Sequence, residues 1–235
     1  MTSILLIRHG QASFGAADYD DLSPLGERQA RMLGAALHEQ RVSATRVLCG
    51  AMRRHRQTAQ ACLAALGCGL TPDIDAGWNE YDHNDVLHVA DPQRRARHEM
   101  TAEFAFATDP HRAFRQAFTA AMGRWIGGAH DDEYRESWPA FKARVAQALE
   151  ACRSTLQPHG TALVFSSGGA IAAACGSVLG LSDAQILALN TALVNASVTK
   201  LLVARDGLRL SSFNGHTHFE RQPRDAAGTR LVTYW

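Results

Sequence analysis

Arg8-His9-Gly10 sets an imidazole between a guanidinium and a glycine near the start of the chain. A neutral imidazole, whose ordinary pKa is about 6.5, is a competent nucleophile near neutral pH. The planar fork of an adjacent arginine fits phosphoryl oxygens, and Gly10 lets backbone come close to a ligand. A capped strand end with a surface arginine would read the same way. Arg53-Arg54-His55-Arg56-Gln57-Thr58 opens a helix, and a helix N-terminus attracts anions; the alternative is a solvated basic face. Glu80, next but one to Trp78, is a carboxyl group in a partly apolar setting, suited to protonating a departing oxygen, or else an ordinary turn carboxylate. Ser166-Ser167-Gly168-Gly169 can form a nest of hydroxyl and amide donors at a helix start. That segment matches neither GxxxxGK[ST] nor GxSxG, and the first strand is not followed by GxGxxG.

These residues depend on the elements that carry them. Ile4–Ile7 reads as a buried strand, and Ser23-Pro24 as the cap and first residue of a helix bearing Leu25, Ala30, Leu33, Ala36 and Leu37. Val47–Cys49 is a second strand, followed by a helix over Arg53–Leu66, and Thr71–Asp75 a third strand. Residues 85–130 differ in character: Phe114, Phe118, Met122 and Trp125 form one apolar helical stripe between Asp109-Pro110 and Gly127-Gly128. A helix over Pro139–Leu156, a strand over Ala162–Phe165 and a helix over Gly168–Leu179 follow. Val194–Val203 and Leu208–Phe213 close as strands around Asp206-Gly207. The alternation predicts an α/β fold, a three-layer α/β/α sandwich with a mainly parallel central sheet. It is read as one domain over residues 1–235, with 85–130 a helical insertion. Such folds bind ligands at the carboxyl ends of their strands, where Arg8-His9-Gly10, Arg53-Arg54, Asn79-Glu80 and Ser166–Gly169 all fall.

Composition bounds the rest. The 235 residues are 46% hydrophobic and 20% charged, the balance of an ordinary globular protein. With 24 basic and 23 acidic residues there is no net field to gather nucleic acid or an anionic membrane. All but Lys142 and Lys200 of the basic residues are arginine, which weakens any argument from an arginine cluster alone. Cys49, Cys62, Cys68, Cys152 and Cys175 are odd in number and form no CxxC pair, so neither a disulfide framework nor a zinc site is expected. A reducing, cytoplasmic setting fits them, and the first residues lack the basic and apolar regions of a signal peptide. Residues 160–182 carry no charge, but Ser166–Gly169 interrupts them, so a buried strand, loop and helix are expected there instead of a membrane span.

Taken in order, the motifs resemble the histidine phosphatase superfamily, the phosphoglycerate mutase-like fold. Arg8-His9-Gly10 matches its signature, Leu22–Ala30 the segment that follows, and Cys49–Ala59 its second phosphate-binding stretch, with Arg54 on the family's arginine. Asn79-Glu80 falls at its proton donor, and Glu136-Ser137, Arg144-Val145, Asn195–Ser197 and Asn214–His218 match later segments. The resemblance implies that His9 takes the phosphoryl group as phosphohistidine, and that Arg8 and Arg54 clamp its oxygens. Ser167 and Gly168 would contribute further phosphate contacts, while Glu80 protonates the leaving group and then helps activate water. It implies no metal and no cofactor, a phosphorylated small-molecule substrate, and neither nucleic acid nor membrane as partner.

The chain departs from that pattern in three places. Ser167 stands where the family carries a second histidine, so Ser167 suffices, another histidine fills the gap, or the protein binds phosphate without turning it over. His83, His216 and His218 are the candidates for the gap, with His218 preferred on fold position; a structural hydrogen bond is the other role open to it. Gly15 sits where mutase-like members carry an asparagine, and Tyr81-Asp82 follows Glu80 in place of the glycolytic mutases' Arg-His-Tyr. Both argue for a phosphomonoesterase over a mutase. The insertion is expected to lie over the site, with Phe104, Phe106 or Trp125 facing substrate; alternatively the stripe packs the helix down or makes a homodimer contact.

Overall fold

A computed structural model describes residues 1–13, 20–91, 110–221, 224 and 228–234. Gly15, Phe104, Phe106 and the side chain of Phe114 lie outside the described residues. The chain divides into two compact units, residues 1–80 with 145–235, and residues 81–144.

The first unit is built on a six-stranded sheet of order β3-β2-β4-β1-β5-β6. Its strands are β1 (Ser3–Arg8), β2 (Arg46–Cys49), β3 (Asp73–Ile74), β4 (Thr161–Ser166), β5 (Val198–Ala204) and β6 (Gly207–Gly215). β1 runs parallel to β4, β4 to β2, and β2 to β3, while β5 and β6 add an antiparallel edge beside β1. From β1 the chain passes over the place of β4 to reach β2, and only later returns to fill it. The reversal leaves a crevice at the carboxyl ends of β1 and β4, where open α/β sheets take their ligands.

Helices cover both faces of the sheet. On one face Leu5, Ile7, Val47, Cys49, Leu163 and Phe165 pack with Leu33 and Leu37 of α1 (Pro24–Glu39) and with Cys62, Leu63 and Leu66 of α2 (Arg53–Leu66). The alternate residues Ile4, Leu6, Leu48, Ala162 and Val164 are equally buried on the other face. Two-sided burial is why these strands read as unbroken apolar runs. The uncharged stretch after residue 160 has the same cause. It forms β4 and then α6 (Gly168–Leu179), buried from Gly168 through Gly176 and in contact with β1. Among the described residues no helix is long and apolar enough to cross a membrane.

Ser23 caps α1 as expected, its Oγ accepting from Gly26 N at 3.0 Å with Pro24 at the first helical position. Gly67, at φ 75°, ends α2 in the left-handed conformation. Three expectations shift. β3 is two residues instead of five, because Asp75 turns away to cap a 3₁₀ turn over Ala76–Trp78. β5 begins at Val198 instead of Val194, because Ser197 N bonds back to Val194 O and Ala196 takes φ 54°. The short helices α7 (Asp183–Ala192) and α8 (Thr217–Glu220) carry too little apolar periodicity to be read from the sequence.

The last described residues form a clasp at the end of β1. Gln29 Nε2 donates to Leu231 O at 2.8 Å and to Thr233 Oγ1 at 2.9 Å. Asn195 N donates to Thr233 O at 2.9 Å, and Arg8 Nη2 to Tyr234 O at 2.8 Å.

The second unit is larger than the expected insertion at both ends. It holds α3 (His83–Ala90), α4 (Pro110–Ile126) and the start of α5 (Trp138–Thr155). Trp125 lies 4.8 Å from Tyr81, 5.1 Å from Trp138 and 5.8 Å from Phe141, ring centre to ring centre. Met122 and Trp125 are fully buried within this cluster, so their part of the stripe is core.

Candidate active site

His9 follows β1 directly, and its backbone is held from two sides. Arg8 is in register with Ser166 of β4, and His9 N donates to Ser166 O at 2.9 Å. The His9 carbonyl accepts from Ala196 N at 3.1 Å and Asn195 Nδ2 at 3.3 Å, both from the turn before β5. The ring Nδ1 lies 2.7 Å from Gly10 O. A carbonyl can only accept, so Nδ1 carries the proton and Nε2 keeps its lone pair. Burial, then the charges of Arg54 and Arg8 and the neighbouring His55, hold the His9 pKa well below its ordinary value. The ring therefore stays neutral at physiological pH.

Gly10 serves a different purpose from the one expected. A Cβ there would stand 2.2 Å from Gly26 O, and one on Gly26 would stand 2.1 Å from Gln11 O. The glycine admits the first turn of α1, not a ligand. Gly10 N donates to Thr58 Oγ1 at 3.1 Å, and Thr58 Oγ1 donates to Arg54 O at 2.6 Å, which ties the His9 loop to α2.

Arg54 is buried at the start of α2, with Nη1 on Asp20 Oδ1 at 2.7 Å and Nη2 3.4 Å from Ser167 Oγ. Asp20 Oδ2 also accepts from Arg53 N at 2.8 Å, a cap that Met52 at the N-cap position cannot supply. Arg8 is differently disposed. Nη1 donates to Leu193 O and Nη2 to Tyr234 O, while Nε lies 3.5 Å from where a Cβ on Gly168 would stand. Arg8 thus lies along Gly168 while its fork holds the clasp.

Glu80 reaches the same place from β3. Its Oε2 accepts from Gly169 N at 2.9 Å, in the first turn of α6. Trp78 O accepts from Ser166 Oγ at 2.6 Å and Asn79 Oδ1 from Ala51 N at 2.6 Å, so the turn bearing Glu80 is pinned to β4 and to the approach of α2. The Trp78 side chain is fully buried, and Glu80 itself is 9% exposed.

Ser167 is the N-cap residue of α6, yet its side chain makes no bond to that helix. Its Oγ turns to His55 Nε2 at 2.6 Å. The His55 ring centre lies 5.7 Å from that of His9. His55 is wholly buried, and burial followed by the Arg54 charge holds its pKa well below the ordinary value. Reading the second basic element as an arginine site passed over this histidine. The available signal was its place in the first turn of a helix that begins beside the strand ends.

His218, expected in this role, is held elsewhere. It has a main-chain hydrogen bond to Ala196, packs on Phe219 at 4.0 Å between ring centres, and faces Met32, Ala36 and Gln40 of α1 and its continuation. Burial brings its pKa down to about 4, and its Nε2 has no hydrogen-bond partner among the described residues. The end of β6 and α8 carry it to the α1 side, so the place beside Ser167 is filled by His55 instead. His216 bonds Asn214 O at 2.6 Å, and His83 stacks with Tyr81 at 4.3 Å.

The sequence matches the model of the histidine phosphatase superfamily (branch 1) over residues 4–216. This chain is a member of that superfamily. Its fold is shared with solved phosphatases of low sequence identity. The α-ribazole phosphatase of Shigella flexneri gives a TM-score of 0.64 at 20% identity, covering 91% of this chain and 96% of that one. A phosphoserine phosphatase mutant from Entamoeba histolytica, bound to phosphoserine, gives 0.63 at 18% identity, covering 93% and 99%. A mycobacterial glucosyl-3-phosphoglycerate phosphatase complexed with VO3 gives 0.61 at 23% identity, covering 91% and 99%. No match was found among curated proteins. In this member of the superfamily, among the described residues, no group of three or more His, Cys, Asp and Glu side chains is placed to hold a metal ion. Burial pushes the thiols of Cys49, Cys62 and Cys175 up to about 12 and that of Cys152 to about 11, which suits packing and not nucleophilic attack.

Proposed function

We propose that the protein is a phosphomonoesterase working through a phosphohistidine on His9, with a small phosphorylated molecule as substrate. The observation that carries this reading is the 2.7 Å bond from His9 Nδ1 to Gly10 O, which leaves the Nε2 lone pair as the reactive centre. Nε2 attacks phosphorus, the ester P–O bond breaks, and Glu80 gives its proton to the departing oxygen. The Glu80 carboxylate then takes a proton from water as the water attacks the phosphohistidine, releasing phosphate and restoring both residues. Arg54 neutralises charge on the transferring group, with the Gly168 and Gly169 end of α6 beside it. Side-chain cations do this work, so the reaction needs no metal. Arg8 lines the floor at Gly168 and adds its charge there, with one N–H of Nη1 and one of Nη2 given to Leu193 O and Tyr234 O. The reduced cysteines fit a cytoplasmic setting.

The test is hydrolysis of an aryl phosphate from pH 5 to 8 in the presence of chelator, comparing wild type with His9→Ala. Activity present in wild type, chelator-resistant and lost in the variant is the expected result. Equal rates in both proteins would remove His9 as the nucleophile. Orthovanadate binding without turnover in the wild type would favour a phosphate-binding regulator, the reading that Ser167 in place of a histidine keeps in view.

A further inference from the structure

We infer that His55 and Ser167 act as one unit, in which His55 positions and polarises the Ser167 hydroxyl as a donor to the transferring phosphoryl group. The inference rests on the phosphatase reading and concerns the place where this chain lacks the family's second histidine.

Hydrogen-bond capacity around Ser167 Oγ carries the argument. A hydroxyl has one proton and two lone pairs. Arg54 Nη2, 3.4 Å away, can only donate. His55 Nε2, 2.6 Å away, donates or accepts according to tautomer. Among the described residues, Nδ1 of the same buried ring has no hydrogen-bond partner. An orphaned buried N–H is rarer and costlier than an unused lone pair, so the proton belongs on Nε2. Both lone pairs of Ser167 Oγ then face N–H donors. Its own proton is left for an acceptor elsewhere, and no bond to its own helix competes for it. An O–H that accepts from a guanidinium and an imidazole is a stronger donor than an isolated one.

Gly50 shows that the ring has been given room. A Cβ on Gly50 would stand 2.2 Å from His55 Nδ1 and 2.9 Å from Cε1. The side chain missing at position 50, the imidazole at 55 and the hydroxyl at 167 form one complementary set across three elements. Because His55 acts through Ser167, it is a positioning residue.

The experiment compares His55→Ala, Ser167→Ala, their double variant, His55→Gln, and the exchange His55→Ala with Ser167→His. Aryl phosphate kcat and KM are measured together with orthovanadate affinity and melting temperature. Removing one transition-state donor costs roughly 10²–10³-fold in rate, so each single alanine variant should lose kcat on that order with a much smaller change in KM. The double variant should be no slower than the worse single one, because a broken unit cannot be broken twice. His55→Gln, whose amide N–H can replace Nε2–H, should recover part of the loss, and the exchange should recover more. Wild-type kcat in a folded His55→Ala protein, or losses that multiply in the double variant, would overturn the inference. If the wild type hydrolyses no phosphate ester, the phosphatase reading has failed and vanadate decides this one. Weaker binding by about tenfold or more in His55→Ala supports the unit, and unchanged binding refutes it.

Discussion

His9 Nδ1 donates to the carbonyl of its own neighbour, Gly10, at 2.7 Å, and that short reach fixes the chemistry of the ring. The acceptor is main chain, so no side-chain substitution can remove it without moving the loop. The loop in turn is pressed against α1, with Gly10 and Gly26 face to face. The tautomer of the proposed nucleophile and helix packing are thus one problem in this fold.

Gly10→Ala tests that link. Its Cβ would meet Gly26 O at 2.2 Å, a clash with backbone that no rotamer relieves. Urea unfolding should show a loss of about 3 kcal/mol or more, and activity should fall with it. A variant of wild-type stability would mean that α1 shifts freely.

Glu80→Gln keeps the bond from Gly169 N but removes the acid that the proposed mechanism uses as proton donor. Hydrolysis of alkyl phosphates should fall by about 10²–10⁴-fold, whereas aryl esters with acidic leaving groups should lose far less. A uniform loss across leaving groups would assign Glu80 to holding the end of α6.

Arg54→Lys keeps the charge but abandons the fork that spans Asp20 and Ser167. Loss of one charge-assisted hydrogen bond is worth about 1.5–3 kcal/mol, so vanadate binding should weaken by about 10–100-fold. Unchanged affinity would show that position 54 needs only a point charge.

Stability should fall on the acid side. His9, His55 and His218 all have native pKa values lowered mainly by burial, that of His218 to about 4. Below about pH 6.5 the unfolded chain protonates these residues while the native state does not, so protons favour unfolding. Each neutral histidine then costs up to about 1.4 kcal/mol per pH unit until its native pKa is reached. Unfolding free energy measured between pH 7.5 and 4.5 should decline, with a shallower slope in His218→Gln. A flat profile would show that the three rings are protonated in the folded protein.

Much of this was legible before any coordinates. Strands buried on both faces announce themselves as apolar runs, and the rule that ligands sit at strand ends gathered His9, Arg54, Ser167 and Glu80 from four distant segments. The misses were of another kind. His55 and His218 are both single histidines near a basic or polar stretch, and which one meets Ser167 is decided by where the fold carries their elements, the start of α2 to the strand ends and α8 to the α1 side. Asp20 has no motif at all, because its partners at Arg53 and Arg54 come from a different element. Helices α7 and α8 were invisible because one is weakly amphipathic and the other is a single turn.

The clasp of residues 231–234 on Gln29, Asn195 and Arg8 sets an order of events. Arg8, at the end of β1, gives an Nη2 hydrogen to a carbonyl 226 positions further along the chain. The loop after β1 is therefore complete only once residues 231–234 have docked, and a chain whose sheet has closed without them still lacks part of the scaffold around His9.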